Sequence, residues 1–136
     1  LVFSTLHTAD SVQTINRIIN AFQPHERDPI RIQLASVLQG AVSQRLVPKA
    51  EGRGRIAVNE VLVVTSTVRD YILKNEMDEI YHILNGGSYD GMMSLNHSLL
   101  RAFQNNLITA DAALSVSENP VQLNQMLRGA YHGTFS

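Results

Sequence analysis

Five side chains with chemistry to offer, Ser4, Thr5, His7, Thr8 and Asp10, stand within the opening stretch LVFSTLHTADSVQTINRI. Thr5 and Thr8 bring hydroxyl groups and His7 an imidazole, and all three can hydrogen-bond a phosphate oxygen or an attacking water. Ser4, His7 and Asp10 are also the residue types of a hydrolase triad. Triad members, however, are brought together by the fold from separate elements, and nothing around Ser4 looks like a nucleophile elbow, so this grouping is discounted. The other histidines, His25, His82, His97 and His132, are scattered: none of the set is three or four residues from another and no HExxH occurs, so no metal site is expected. Arg53 and Arg55, in the run GRGR, read as an exposed hairpin tip rather than as a phosphate or partner site.

That chemistry depends on the elements that carry it. Leu1 to Leu6 is apolar on both faces apart from Ser4 and Thr5, the pattern of a central strand in a parallel sheet. In open α/β sheets ligands sit beyond the carboxyl ends of the strands, so STLHT stands where a polar ligand would be met. The plainer alternative is that Ser4 and Thr5 only finish the strand and His7 sits in a satisfied turn. Spacing alone leaves both readings open. A central strand also needs neighbours on both edges, and the rest of the sequence offers too few. The chain is therefore expected to be cut from something longer, with the missing strands upstream.

Beyond the strand, Asp10 reads as an N-cap with Gln13 at the third helical position, a variant of the capping box. Val12, Ile15, Ile18, Ile19 and Phe22 then recur at helical spacing until Pro24. A second helix is expected with Asp28 as cap and Pro29 at its first position, burying Ile30, Leu34, Val37, Leu38 and Ala41. Arg45 to Lys49 and Arg55 to Val64 read as two strands joined by AEGRGR, where Gly52 and Gly54 can take positive φ. From Ser66 onward the pattern is short helices: a Ser66-capped one with Val68, Tyr71 and Ile72; a stripe of Met77, Ile80, Tyr81 and Leu84 ending at Asn85-Gly86-Gly87; Met92 to Asn105; Thr109 to Ser117; and one capped by Asn119 with Leu123, Met126 and Leu127. The tail AYHGTFS is expected to fray. The change near residue 65 suggests a boundary between residues 1–65 and an all-helical part, 66–136.

Composition narrows the function classes. The 136 residues are 44% apolar, 17% charged and 6% aromatic, with net charge −1, a globular profile that lends a nucleic-acid partner no support. The absence of Cys excludes disulfides and thiolate metal sites and fits a reducing compartment. No apolar run approaches the roughly 20 residues of a bilayer span, so a cytoplasmic location is expected.

The stretch LVFSTLHTADSVQTINRIINAF resembles the His box of the type II/type IV secretion ATPase superfamily. QLASVLQGAVSQRLVP followed by GRGRIAVNEVLVVTSTVRDYI is similar to what comes next in its PilT-like, pilus-retraction branch. The likeness runs from Leu1 to about Leu114. It implies an α/β fold class: the C-terminal part of a RecA-like P-loop ATPase domain with strand, helices and β-hairpin over 1–65, followed by an all-helical C-terminal subdomain over 66–136. The phosphate-binding loop lies N-terminal to the His box in that family, and no GxxxxGK[ST] occurs here.

Carried over, the resemblance implies that His7, with Thr5 and Thr8 beside it, senses or contacts the terminal phosphate of ATP, the nucleotide and Mg2+ being bound mainly by residues outside this chain. A second family motif, AIRNLIRE, aligns with TVRDYILK at Thr67 to Lys74. Arg69 and Ile72 match it, Val68 is a conservative change, and Asp70, Tyr71, Leu73 and Lys74 depart from it. The lack of a four-Cys zinc subdomain after SQRLVP favours the retraction branch over pilus-assembly or type II secretion motors. The implied assembly is a homo-hexamer at the cytoplasmic side of a bacterial pilus machine, peripheral to the inner membrane at most and in contact with inner-membrane platform proteins. The competing class is a non-catalytic helical interaction or adaptor module that never meets ATP.

Overall fold

Asp10 ends the irregular opening of the chain and starts its first helix. In the computed structural model, which describes residues 1–86 and 90–131, α1 (Ser11–Asn20) is capped by the Asp10 carboxylate, whose Oδ1 accepts the Gln13 N–H at 2.8 Å. This satisfies one of the amide groups that a helix start leaves without an intrahelical acceptor. Gln13 does not reach back to the Asp10 backbone as a capping box would; its Nε2 donates to the other carboxylate oxygen at 3.2 Å. Val12, Ile15 and Ile19 form the buried stripe of α1.

The second helix starts differently from the sequence expectation. Pro24 opens a 3-10 turn, Pro24–Glu26, that runs straight into α2 (Arg27–Val37). Asp28 therefore lies in the first turn and is not the cap. Pro29 sits third rather than first, still within the turn whose N–H groups have no intrahelical acceptor, so its missing N–H costs little. At the other end α2 stops at Val37, which is 62% exposed rather than buried, and Ala41 belongs to a strand.

That strand, β1 (Gly40–Pro48), pairs with β2 (Arg55–Val63) in a two-stranded sheet. Their short connection permits only the antiparallel arrangement. Gly52 and Gly54 take φ of +85° and +76° in it, and the Lys49 N–H donates to the Gly54 carbonyl at 3.1 Å. The strand expected over Leu1 to Leu6 does not form. The segment has no ladder partner among the described residues, and Leu1, Val2 and Phe3 are almost fully exposed. A strand exists only through its neighbours, and apolar pattern cannot substitute for them.

Five more described helices follow β2: α3 (Ser66–Leu73), α4 (Met77–Asn85), α5 (Leu95–Gln104), α6 (Ala110–Val116) and α7 (Pro120–Tyr131). Thr65 rather than Ser66 caps α3, its hydroxyl accepting the Val68 N–H at 3.3 Å. Asn119 caps α7 as expected, its Oδ1 accepting the Gln122 N–H at 3.1 Å. Gly87 of the expected helix stop, His132 and the rest of the tail lie outside the described residues. Among the described residues no helix is long and apolar enough to cross a membrane.

The contacts define two compact units, interleaved along the chain. The first joins Leu1–Ser43 with the described residues of Val61–Met92, and its core holds Ile15, Ile19, Leu62, Val68, Ile72, Ile80 and Leu84. Helices α3 and α4, beyond the sequence change near residue 65, thus pack with α1 and α2. The second unit joins Gln44–Glu60 with the described residues from Met93 onward, around Val47, Val58, Leu99, Leu123 and Leu127. The stripes of α1, α3, α4, α5 and α7 supply their units' cores, the expected origin of helix stability in a protein, whereas of α2 only Ala35 is buried.

Candidate functional site

The residues that lead into α1 are held from several directions. The carbonyl of His7 accepts a hydrogen bond from Arg17 Nη1 at 3.0 Å. Thr8 Oγ1 lies 2.6 Å from Thr14 Oγ1, and the Thr14 hydroxyl donates to the Asp10 carbonyl at 2.9 Å. Since a hydroxyl has one proton, Thr8 is the donor in its pair with Thr14. Asp10 is buried, and beyond Gln13 its carboxylate accepts from the Tyr81 hydroxyl, which stands 3.1 Å from Oδ1 and 3.0 Å from Oδ2. The segment from His7 to Asp10 is therefore fixed by α1 through Gln13, Thr14 and Arg17, and by α4 through Tyr81.

Against that fixed backbone, His7 and Thr5 are exposed and Thr8 is half-buried. Thr8, Gln13, Asn16, Arg17 and Asn20 line a shallow depression beside them, open to solvent. Its chemistry is that of a contact surface: amides and one guanidinium that can hydrogen-bond an anion without enclosing it. His7 and Thr5 keep groups with which to approach a phosphate oxygen. Thr8 spends its proton on Thr14 and has only lone pairs left, which a phosphate does not need. The arrangement thus gives the three expected site residues different capacities: His7 and Thr5 can donate outward, and Thr8 buttresses the turn.

The two residues matched to the second motif face inward. Arg69 Nη1 donates to the carbonyls of Ala35 and Ser36, at 2.5 and 2.8 Å, in the last turn of α2. Ile72 is fully buried in the core of the first unit. Neither lies with His7. Sequence reasoning missed Arg17, Thr14 and Tyr81 as partners of the opening segment. Thr14 and Arg17 were legible in part, since they stand three apart on one face of α1. Tyr81 gave no such sign: it reads as one member of an apolar stripe, and its partner is 71 residues away.

No protein-family model matches the chain. Known proteins do. The chain is 34% identical over 119 residues, 88% of its length, to a twitching motility protein of Neisseria gonorrhoeae, of which this covers 32%. It is 32% identical over 120 residues, again 88% of its length, to the type IV pilus retraction ATPase PilT of Pseudomonas aeruginosa, covering 35% of it. The fold matches the crystal structure of the pilus retraction motor PilT with bound ADP, with a TM-score of 0.80 and 34% identity over 92% of this chain and 34% of that one. The chain spans about a third of the length of the curated relatives it matches. By sequence and by fold the chain is similar, over that third, to the type IV pilus retraction ATPases.

Proposed function

We propose that this segment works within an ATP-hydrolysing motor that powers type IV pilus retraction, with His7 contacting the terminal phosphate of the nucleotide. The observation that carries the reading is the fold match to the ADP-bound retraction motor over 92% of the chain at 34% identity. The site is compatible with part of that task. An exposed imidazole and the Thr5 hydroxyl can meet phosphate oxygens, and the open depression has no enclosure for a base or sugar. ATP and Mg2+ would accordingly be held mainly by residues beyond these 136, in the same protein or in a neighbouring subunit of a homo-hexamer. The motor would stand at the cytoplasmic face of the pilus machine against its inner-membrane platform proteins.

Contact from His7 is most useful as negative charge develops on the transferred phosphoryl group, so its loss should lower kcat more than it raises KM. Loss of the phosphate on hydrolysis would free His7, and α1, which is tied to the His7 carbonyl through Arg17, is the element placed to respond. The test is steady-state ATPase activity of the full-length protein with and without His7→Ala, with oligomeric state by light scattering. A hexamer whose turnover falls at least about tenfold, roughly 1.4 kcal/mol of transition-state stabilisation, supports the motor reading. Unchanged turnover, or none in either protein, would instead favour a non-catalytic interaction module.

A further inference from the structure

We infer that Tyr81, on α4, is a positioning residue for His7, acting through the buried Asp10 carboxylate; this rests on the proposed role of His7. Asp10 is the hinge of the argument. Asp10 is 6% exposed, and burial of a carboxylate is costly unless several donors meet it. Gln13 supplies two of them, the backbone N–H and the side-chain amide, and both belong to α1, the helix that Asp10 caps. Tyr81 supplies the third from a different helix, with its hydroxyl nearly equidistant from the two carboxylate oxygens. The hydroxyl thereby ties the N-terminus of α1 to α4.

His7 follows from that tie. Its backbone is held by Arg17 from α1, and Thr8, next in sequence, is held by Thr14, which also donates to the Asp10 carbonyl. The His7–Asp10 turn is thus bonded to α1 through Arg17, Thr14 and Gln13 and, at the Asp10 carboxylate, to Tyr81. Without the Tyr81 hydroxyl the Asp10 carboxylate loses its donor from α4, and the turn loses that tie. A phosphate contact from an exposed imidazole depends on the placement of the backbone beneath it, since small misplacements cost rate even where binding is kept.

The experiment uses the full-length protein with Tyr81→Phe, His7→Ala and the double substitution. Tyr81→Phe keeps the ring and its packing and removes only the hydroxyl. Expected are a fall in kcat of about three- to tenfold with little change in KM, and a double mutant no slower than His7→Ala. Alongside, hydrogen exchange at the backbone amides of residues 8–14 should quicken in Tyr81→Phe. Wild-type kcat in Tyr81→Phe, or an undiminished effect of Tyr81→Phe in the His7→Ala background, overturns the inference. If His7→Ala itself leaves turnover unchanged, the phosphate-contact reading fails. Tyr81 is then judged by exchange alone: unchanged protection at 8–14 removes its positioning role, and faster exchange keeps it for the turn.

Discussion

Arg69 on α3 binds the end of α2, its Nη1 donating to the carbonyls of both Ala35 and Ser36. The last carbonyls of a helix have no intrahelical donor, and the helix dipole makes that end negative, so a guanidinium there satisfies two acceptors and offsets the charge. The same bonds join α2 to α3 within the first unit. The motif arginine that aligns with a retraction signature is thus occupied inside the fold.

Arg69→Ala should therefore destabilise the protein by about 1.5–3 kcal/mol, the range for hydrogen bonds to a charged donor. Arg69→Lys should recover part of this, because an ammonium keeps the charge and lacks the fork that reaches two carbonyls. Urea denaturation checks both. Equal stability of Arg69→Ala and the wild type would return Arg69 to an outward, partner-facing role.

Ile72, one turn further along α3, is fully buried. Truncation to Ala should cost about 2–5 kcal/mol through lost burial and the cavity left behind, and Ile72→Val about 0.5–1.5 kcal/mol. A contact made with another subunit predicts the opposite pattern, with intact protomer stability and weakened assembly. Thermal unfolding at protein concentrations above and below subunit dissociation separates the two.

What the sequence made legible follows the range over which its causes act. The Asp10 and Asn119 caps, the positive φ of Gly52 and Gly54 and the stripes Met77, Ile80, Leu84 and Leu123, Leu127 are decided within a few residues, and the structure has them all. The start of β1 was hidden because its reason is distant. A Cβ on residue 40 would stand 2.8 Å from the Leu62 carbonyl oxygen, so Gly40 admits the backbone of β2 where Val37, Leu38 and Ala41 imitate helical spacing. Leu1 to Leu6 failed for the converse reason: its strand pattern was real, and a partner was required to realise it. Of the candidate site, the cluster of Thr5, His7 and Thr8 was visible as residue types. The division of labour among them came from Thr14, Arg17 and Tyr81, and required the fold.

His97 gives the second unit a pH dependence of predictable sign. Burial lowers its pKa from the ordinary 6.5, since charging the ring would cost its solvation. A neutral ring also suits its surroundings. Ser94 Oγ accepts the His97 backbone N–H at 3.1 Å as the cap of α5 and lies 2.6 Å from Nδ1, where an unprotonated nitrogen accepts the hydroxyl proton. Because the unfolded chain takes up the proton more readily than the folded one, this contribution is present in full above pH 6.5 and is lost as the pH falls below that value through the lower folded pKa. Thermal midpoints between about pH 7.5 and pH 5 should therefore decline, and His97→Gln, which cannot charge, should flatten the slope. An equal slope in His97→Gln assigns the pH dependence elsewhere.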